Sequence, residues 1–208
     1  MKTVVLQSFR TTDVPDWISR CLASVRDWAM RSDYQYEFVD DSIFALCGPD
    51  YLARAESNPR TITNLARLEL VKARLADGYD RAIWFDADVF VFAPDRLQVN
   101  LRSGYAFGLE VWISVDANGE IVRRRTVHNA ALVFTKDQAD LDVLISLIRH
   151  IVMTRDIQSN QQVGVWLVSG LLQSFAFPLL LQIGMLGPHM LQAVVEERPA
   201  LLEAFVRG

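Results

Sequence analysis

Two carboxylates stand inside a strongly apolar run, Ile83-Trp84-Phe85-Asp86-Ala87-Asp88-Val89-Phe90-Val91-Phe92. Burying an unpaired carboxylate is costly, and burying two close together is worse. Residues two apart in an extended chain point the same way, so the charges of Asp86 and Asp88 would repel. A cation offsets that repulsion. Hard oxygen donors with water suit Mg²⁺ or Mn²⁺, above all where a substrate phosphate completes the shell. Ala87 is small and lets a bulky ligand approach the backbone. The plainer alternative is a strand that ends at a solvated turn. The return of apolar residues at Val89 weighs against it.

The flanking pattern says what must position these carboxylates. Lys2 to Phe9 reads as a strand with a continuous apolar run, as in sheets buried on both faces. Ile18, Leu22, Val25 and Ala29 recur at helical spacing. Tyr36 to Val39 is a short strand ending at Asp40-Asp41, and Cys47 to Pro59 reads as loop. A helix from about Thr61 to Ala76 puts Ile62, Leu65, Leu68, Val71 and Leu75 on one face and Arg67 and Arg74 elsewhere, with Gly78 as its cap. A strand is expected over Arg81 to Phe92. Tyr105 to Val115 suggests more strand, followed by a tight turn at Asp116-Ala117-Asn118-Gly119. After a strand at Ala130 to Phe134, Thr135-Lys136-Asp137-Gln138 has capping-box form. The helix it opens carries Leu141, Leu144, Ile145, Ile148 and Val152. Alternating strands and helices predict a doubly wound α/β sheet. Such sheets bind ligands beyond the carboxyl ends of their strands. That rule points to Ser8-Phe9-Arg10, Asp40-Asp41 and the residues after Phe85.

The 208 residues, 51% hydrophobic and 22% charged, predict one domain with a sizeable core. The net charge is -4, and the longest basic block is Arg123-Arg124-Arg125. Nucleic-acid binding through phosphate contacts needs more clustered cations than that. Cys21 and Cys47 form neither a zinc motif nor a disulfide scaffold. The apolar run before Arg10 is too short for a signal peptide, so a reducing, cytoplasmic setting is expected. From Ile157 to Val195 no Asp, Glu, Lys or Arg occurs. Its glutamines, prolines and glycines break it into pieces too short to span a bilayer. It reads as buried core, with a peripheral membrane or homo-oligomer contact through 163–195 as the alternative.

Asn64-Leu65-Ala66-Arg67, a helix, and Tyr79-Asp80-Arg81-Ala82-Ile83-Trp84-Phe85-Asp86-Ala87-Asp88 together resemble the core of GT-A glycosyltransferases. The resemblance covers most of the chain. It implies a single GT-A domain over 1–208, Rossmann-like, with a mostly parallel sheet flanked by helices. Residues 1–100 would be the nucleotide-binding half and 101–208 the donor-sugar and acceptor half. The DxD motif would hold a nucleotide-diphosphate sugar donor through Mn²⁺ or Mg²⁺. Gln7, Ser8, Phe9, Asp40, Arg67, Asp86, Ala87 and Asp88 would serve the nucleotide. His128-Asn129-Ala130-Ala131-Leu132-Val133-Phe134 matches the strand after the donor-sugar region, with Asn129 toward donor sugar or acceptor. Ile183 to His189 matches a late segment, and His189 would join Asp86 and Asp88 on the metal. The acceptor would be a glycan or related molecule.

The chain departs from that pattern in two places. Asn64 stands where many relatives have Asp. The late segment Ser159 to Trp166 lacks the acid that often serves as base. The catalytic base is therefore unassigned, with Asp156, Glu110 and Asp116 as weak candidates; retaining enzymes need none. Arg67 is otherwise a surface charge, His128 structural, and Trp112 and Trp166 core. Arg123 to Arg125 read as a solvated loop, or as a face for an anionic acceptor or lipid. Two other functions stay open. One is a non-catalytic nucleotide-sugar or protein-binding domain. The other is a haloacid-dehalogenase-type phosphohydrolase, whose motif also reads hydrophobic run then D-x-D. That motif normally sits on the first strand and needs a later Lys and an acidic pair.

Overall fold

The computed structural model describes every residue except Ser57, Asp137, Phe175 and Gly208, and Pro59 by its backbone. Six strands form one sheet: β1 (Thr3–Ser8), β2 (Gln35–Val39), β3 (Arg81–Phe85), β4 (Tyr105–Val115), β5 (Ile121–Thr135) and β6 (Leu179–Leu180). Their order is β2-β1-β3-β5-β4-β6. β1 runs parallel to β2 and β3, β5 runs antiparallel to β3 and β4, and β6 is parallel to β4. Every strand but β5 therefore points one way, and the carboxyl ends of β1, β2 and β3 share one edge. The expected mostly parallel α/β sheet is what forms.

Helices cover both faces. α1 (Asp16–Arg31) packs Val25 and Trp28 on Val5, Ile83 and Phe85. On the other face α3 (Pro59–Ala76) and α4 (Ala139–Thr154) pack Leu65, Val71 and Ile148 on Leu6, Trp84 and Leu132. Successive β3 residues feed opposite cores, which is why this run is apolar without alternation.

Several elements differ from expectation. Part of the expected loop from Cys47 to Pro59 is helical: α2 spans Pro49–Ala55, with Pro49 in its first turn. Burial of Tyr51 and Ala55 against the α3 side outweighs the turn signals. β3 stops at Phe85, not Phe92. The Asp86 N–H goes to Ala130 O at 2.7 Å, and the Val89 N–H turns back to Asp86 O at 3.1 Å. Val89 and Val91 still pack on the α1 core, while Phe92 is 84% exposed. Val89 and Val91 are held by packing, not by sheet pairing. α4 begins from Gln138, without a side-chain cap among the described residues. Thr135 instead donates to Gly104 O at 3.1 Å; Asp137 lies outside the described residues.

β5 is far longer than the expected Ala130 to Phe134. Beyond the last β3–β5 pair, Phe85 with Ala131, β4 and β5 continue as a two-stranded arm. The turn at its tip forms as expected: Asp116 Oδ1 accepts from the Asn118 and Glu120 N–H groups, and Gly119 takes φ +83°. The uncharged late stretch divides into α5 (Val165–Ser174), β6 and α6 (Pro188–Val195), followed by α7 (Pro199–Val206). Met190, Ala193 and Leu201 bury Leu109, Val111 and Ile113 of the arm. The stretch is thus only partly core, since Trp166, Leu191 and Val195 are exposed. No helix among the described residues is long and apolar enough to cross a membrane.

Candidate active site

A cavity of about 750 Å³ opens at the carboxyl edge of β1, β2 and β3. That volume suits a ligand of nucleotide-sugar size. Ser8, Phe9 and Arg10 supply one wall, Arg60, Thr63 and Arg67 another, and Asp86, Ala87 and Asp88 a third. The topology explains the convergence. Three parallel strands end together, and the helix before β3 returns along the same edge.

Asp86 is pinned. Its Oδ1 lies 2.9 Å from Arg67 Nη1 and accepts the Trp84 indole N–H at 2.6 Å. Arg67 is buried, sits over the Trp84 ring, and also donates to Asn129 O at 2.6 Å. Arg67 is thus neither a surface charge nor a swinging arm. It supplies part of the cation that the two carboxylates require. Asp88 is exposed toward the cavity, and its carboxyl is pushed above the usual range, first by desolvation and then by the charge of Asp86.

A bulge in β5 completes the wall behind Arg67. Phe107 pairs with Leu132, yet its neighbour Gly108 pairs with His128, so residues 129–131 are extra on that strand. Bulges re-aim side chains in this way. Asn129 Nδ2 donates to Asn64 Oδ1 at 2.9 Å, and Asn64 Nδ2 donates to Asn160 O at 3.0 Å. Gly164 sits against this pair; a Cβ there would lie 3.1 Å from Asn64 Nδ2. His128 is buried, its Nδ1 accepts the Ala130 N–H at 3.1 Å, and its Nε2 has no hydrogen-bond partner among the described residues. Burial holds its pKa below the ordinary value, with Glu110 pulling the other way.

The structure sorts the sequence candidates. Ser8, Phe9, Arg67, Asp86, Ala87 and Asp88 come together around the cavity. Gln7 is buried: it donates to Asp86 O at 3.1 Å and accepts from Tyr36 at 3.2 Å. It braces the backbone of the motif without lining the cavity. Asp40 is exposed and accepts the Ser42 N–H at 3.0 Å; the Ser42 hydroxyl first, and then this N–H, lower its pKa, while its neighbour Asp41 lines the cavity. Asn129 stands behind Arg67, outside the lining. His189 is exposed on α6, which packs on the arm, and the structure does not bring it to Asp86 and Asp88. Among the described residues no cluster of three or more His, Cys, Asp or Glu forms a metal cage.

The three base candidates also lie apart from the lining. Asp116 closes the turn at the arm's tip. Asp156 is paired with Arg54 at 2.9 Å beside a different cavity. Glu110 is buried on the arm and accepts the Thr126 hydroxyl at 2.9 Å. The sequence reading missed Trp17, Phe44, Arg60 and Thr63. Arg60, Thr63 and Arg67 follow i, i+3, i+7 spacing, a polar stripe opposite the apolar one, and that signal was legible. Trp17 and Phe44 enter through packing of distant segments.

No protein-family model matches this sequence, and no curated protein sequence matches it. Among solved structures, the fold is similar to a glycosyltransferase involved in the glycosylation of the major capsid of PBCV-1. The TM-score is 0.51 at 10% identity, over 88% of this chain and 80% of that one. At that identity the likeness is one of fold. The mostly parallel α/β sheet flanked by helices, expected from the GT-A resemblance, is the architecture this chain shares with a glycosyltransferase.

Proposed function

We propose that this chain transfers a sugar from a nucleotide-diphosphate donor to a glycan-type acceptor. One observation carries the reading: Asp86 and Asp88 stand at the carboxyl edge of a glycosyltransferase-like sheet, beside a cavity sized for a nucleotide sugar. The donor set fits a divalent ion such as Mn²⁺ or Mg²⁺, which typically takes one or two carboxylates and completes its shell with phosphate oxygens. Asp88 would hold it, with the remaining oxygen of Asp86. Bound there, the ion would neutralise charge on the departing diphosphate.

The chain's own residues do the rest. Arg67 sets a positive charge beside Asp86 and orients its carboxylate. Arg60 offers a guanidinium fork to a phosphate, and Trp17, Phe9 and Phe44 offer flat apolar surface to a base or sugar. Among the described lining residues the carboxylates are Asp41, Asp86 and Asp88.

A second reading, a nucleotide-sugar-binding domain without turnover, gains from the placement of Asp116 and Asp156 away from the cavity. A phosphohydrolase reading loses ground. Its required lysine would have to be Lys136, which bonds Asp80 at 2.7 Å just before β3 begins, at the opposite edge of the sheet.

The test is a thermal-shift series with UDP, GDP, CDP and their sugars, with and without Mn²⁺, on the wild type and Asp88→Ala. Binding to the folded state alone stabilises by about 2.7 kcal/mol at 100 times the dissociation constant. The proposal expects one nucleotide to act only with metal, and Asp88→Ala to abolish the effect. No nucleotide effect under any condition would sink it. Hydrolysis of the stabilising donor then separates transferase from binding domain.

A further inference from the structure

Along the outer part of the arm, β5 has a neighbour on one side only. From Ile121 to His128 it pairs with β4. Its other edge, which β3 occupies from Ala131 onward, carries no strand there among the described residues. No backbone hydrogen bond outside the β4 ladder reaches Ile121 to Thr126 among those residues. Alternate residues of an edge strand turn their N–H and C=O groups outward, so this edge offers a row of free donors and acceptors. Residues 121–125 are all exposed, which leaves the row open.

Arg123, Arg124 and Arg125 lie along this edge, on a strand and not in a loop. Arg123 and Arg125 stand opposite Ile113 and Val111, on the face that α6 and α7 cover, and Arg124 stands opposite Trp112 on the other face. Positive charge therefore flanks the edge on both faces. Among the described residues none of the three guanidinium groups has an ion pair or a hydrogen bond. The acids at the tip do not answer them: Asp116 Oδ1 holds the turn, and Glu120 pairs with no cation among the described residues. Charged side chains commonly guard an open edge, and here they select against self-association. Antiparallel pairing of two copies centred on Arg124 would set all three arginines against arginines. An added strand with acids at successive positions would instead meet cations on both faces.

We propose that the β5 edge from Ile121 to Thr126 docks an extended acidic segment of a partner protein as an added strand. Ladder hydrogen bonds supply the affinity, and the arginines supply the choice of partner. The docked strand would lie in line with β3, whose end leads into Asp86. Docking there does not depend on what the cavity binds.

The test is fluorescence anisotropy of a labelled peptide of about eight residues, with consecutive glutamates between valines and threonines, titrated with the full chain. Two further versions carry N-methyl groups on alternate amides, one set each. A strand pairs through one edge, so one methylated peptide should bind about tenfold more weakly and the other should bind as the parent does. Arg124→Glu and Arg125→Glu, both at exposed positions, should weaken the parent about tenfold. Arg102→Glu, exposed just before β4 at the far end of the β4–β5 pair, should leave it unchanged. Absence of saturable binding by the parent overturns the proposal. So does equal binding of the two methylated peptides, the result that a charged surface for an anionic glycan or lipid would give. A loss as large in Arg102→Glu overturns it too, because it would mark general charge attraction.

Discussion

The amide of Asn129 donates to the amide oxygen of Asn64 at 2.9 Å, joining the β5 bulge to α3 behind Asp86 and Asp88. Each partner is engaged a second time. Asn64 donates to Asn160 O, and Asn129 O accepts from Arg67, which in turn holds Asp86. An unbroken polar chain thus runs from the segment at 160 to the carboxylate at 86. Such networks are worth most when every member is satisfied.

Asn129→Ala should break that chain at its centre. It leaves the buried Asn64 oxygen unpaired, at a cost of about 1–3 kcal/mol. Urea melts should show the loss. Asn64→Asp should also destabilise, because a carboxylate cannot donate to Asn160 O.

Arg67→Gln should be more severe. It leaves Asp86 without its cation beside Asp88, and breaking a buried pair costs about 3–5 kcal/mol. The lower end is expected, because Asp86 retains some solvent contact. Adding Asp86→Asn should recover much of the stability, and a double-mutant cycle measures that coupling.

Gly108→Ala should destabilise through a steric clash. A Cβ at this position would lie 2.6 Å from His128 Nε2 and 2.8 Å from its Cε1. Overpacking of this kind costs about 1–3 kcal/mol. His128→Ala in the same chain should relieve the clash, so the two changes should be far from additive in melting temperature.

His128 should impose a pH dependence. Burial depresses its folded pKa below 6.5, so the unfolded chain binds the proton more readily. Its contribution to stability is then fully present above about pH 6.5 and lost as pH falls below it. Melting temperatures between pH 8 and 5 should drop more steeply in the wild type than in His128→Gln. Equal slopes would show that the imidazole does not control this range.

Cys47 should be inert in the folded protein. It is fully buried, and burial pushes its thiol up to about 12. Alkylation at pH 8 should therefore wait on unfolding, and its rate should rise with urea.

Much of the sheet was determined by local pattern alone. The apolar run of β1, the helical spacing around Leu65 and Val71, and the Asp116–Gly119 turn are short-range signals, and each gives its expected element; the run from Arg81 gives its strand only as far as Phe85. Asp86 and Asp88, which line the cavity, stood out in the sequence too, because two carboxylates in an apolar run need a shared solution whatever the fold. What lay beyond the sequence is who answers whom. That Arg67, 19 residues before Asp86, is its counter-ion depends on α3 returning along the sheet edge. That Gln7 braces the backbone at Asp86, while Asp41 and not Asp40 lines the cavity, depends on strand register and on the 3₁₀ turn Asp41–Cys47, which Asp40 caps. That His189 and Asp156 stand apart from the cavity depends on where α6 and the α4 end dock. Residue type limits the chemistry a side chain can do; the long-range packing of helices on strands selects its partner.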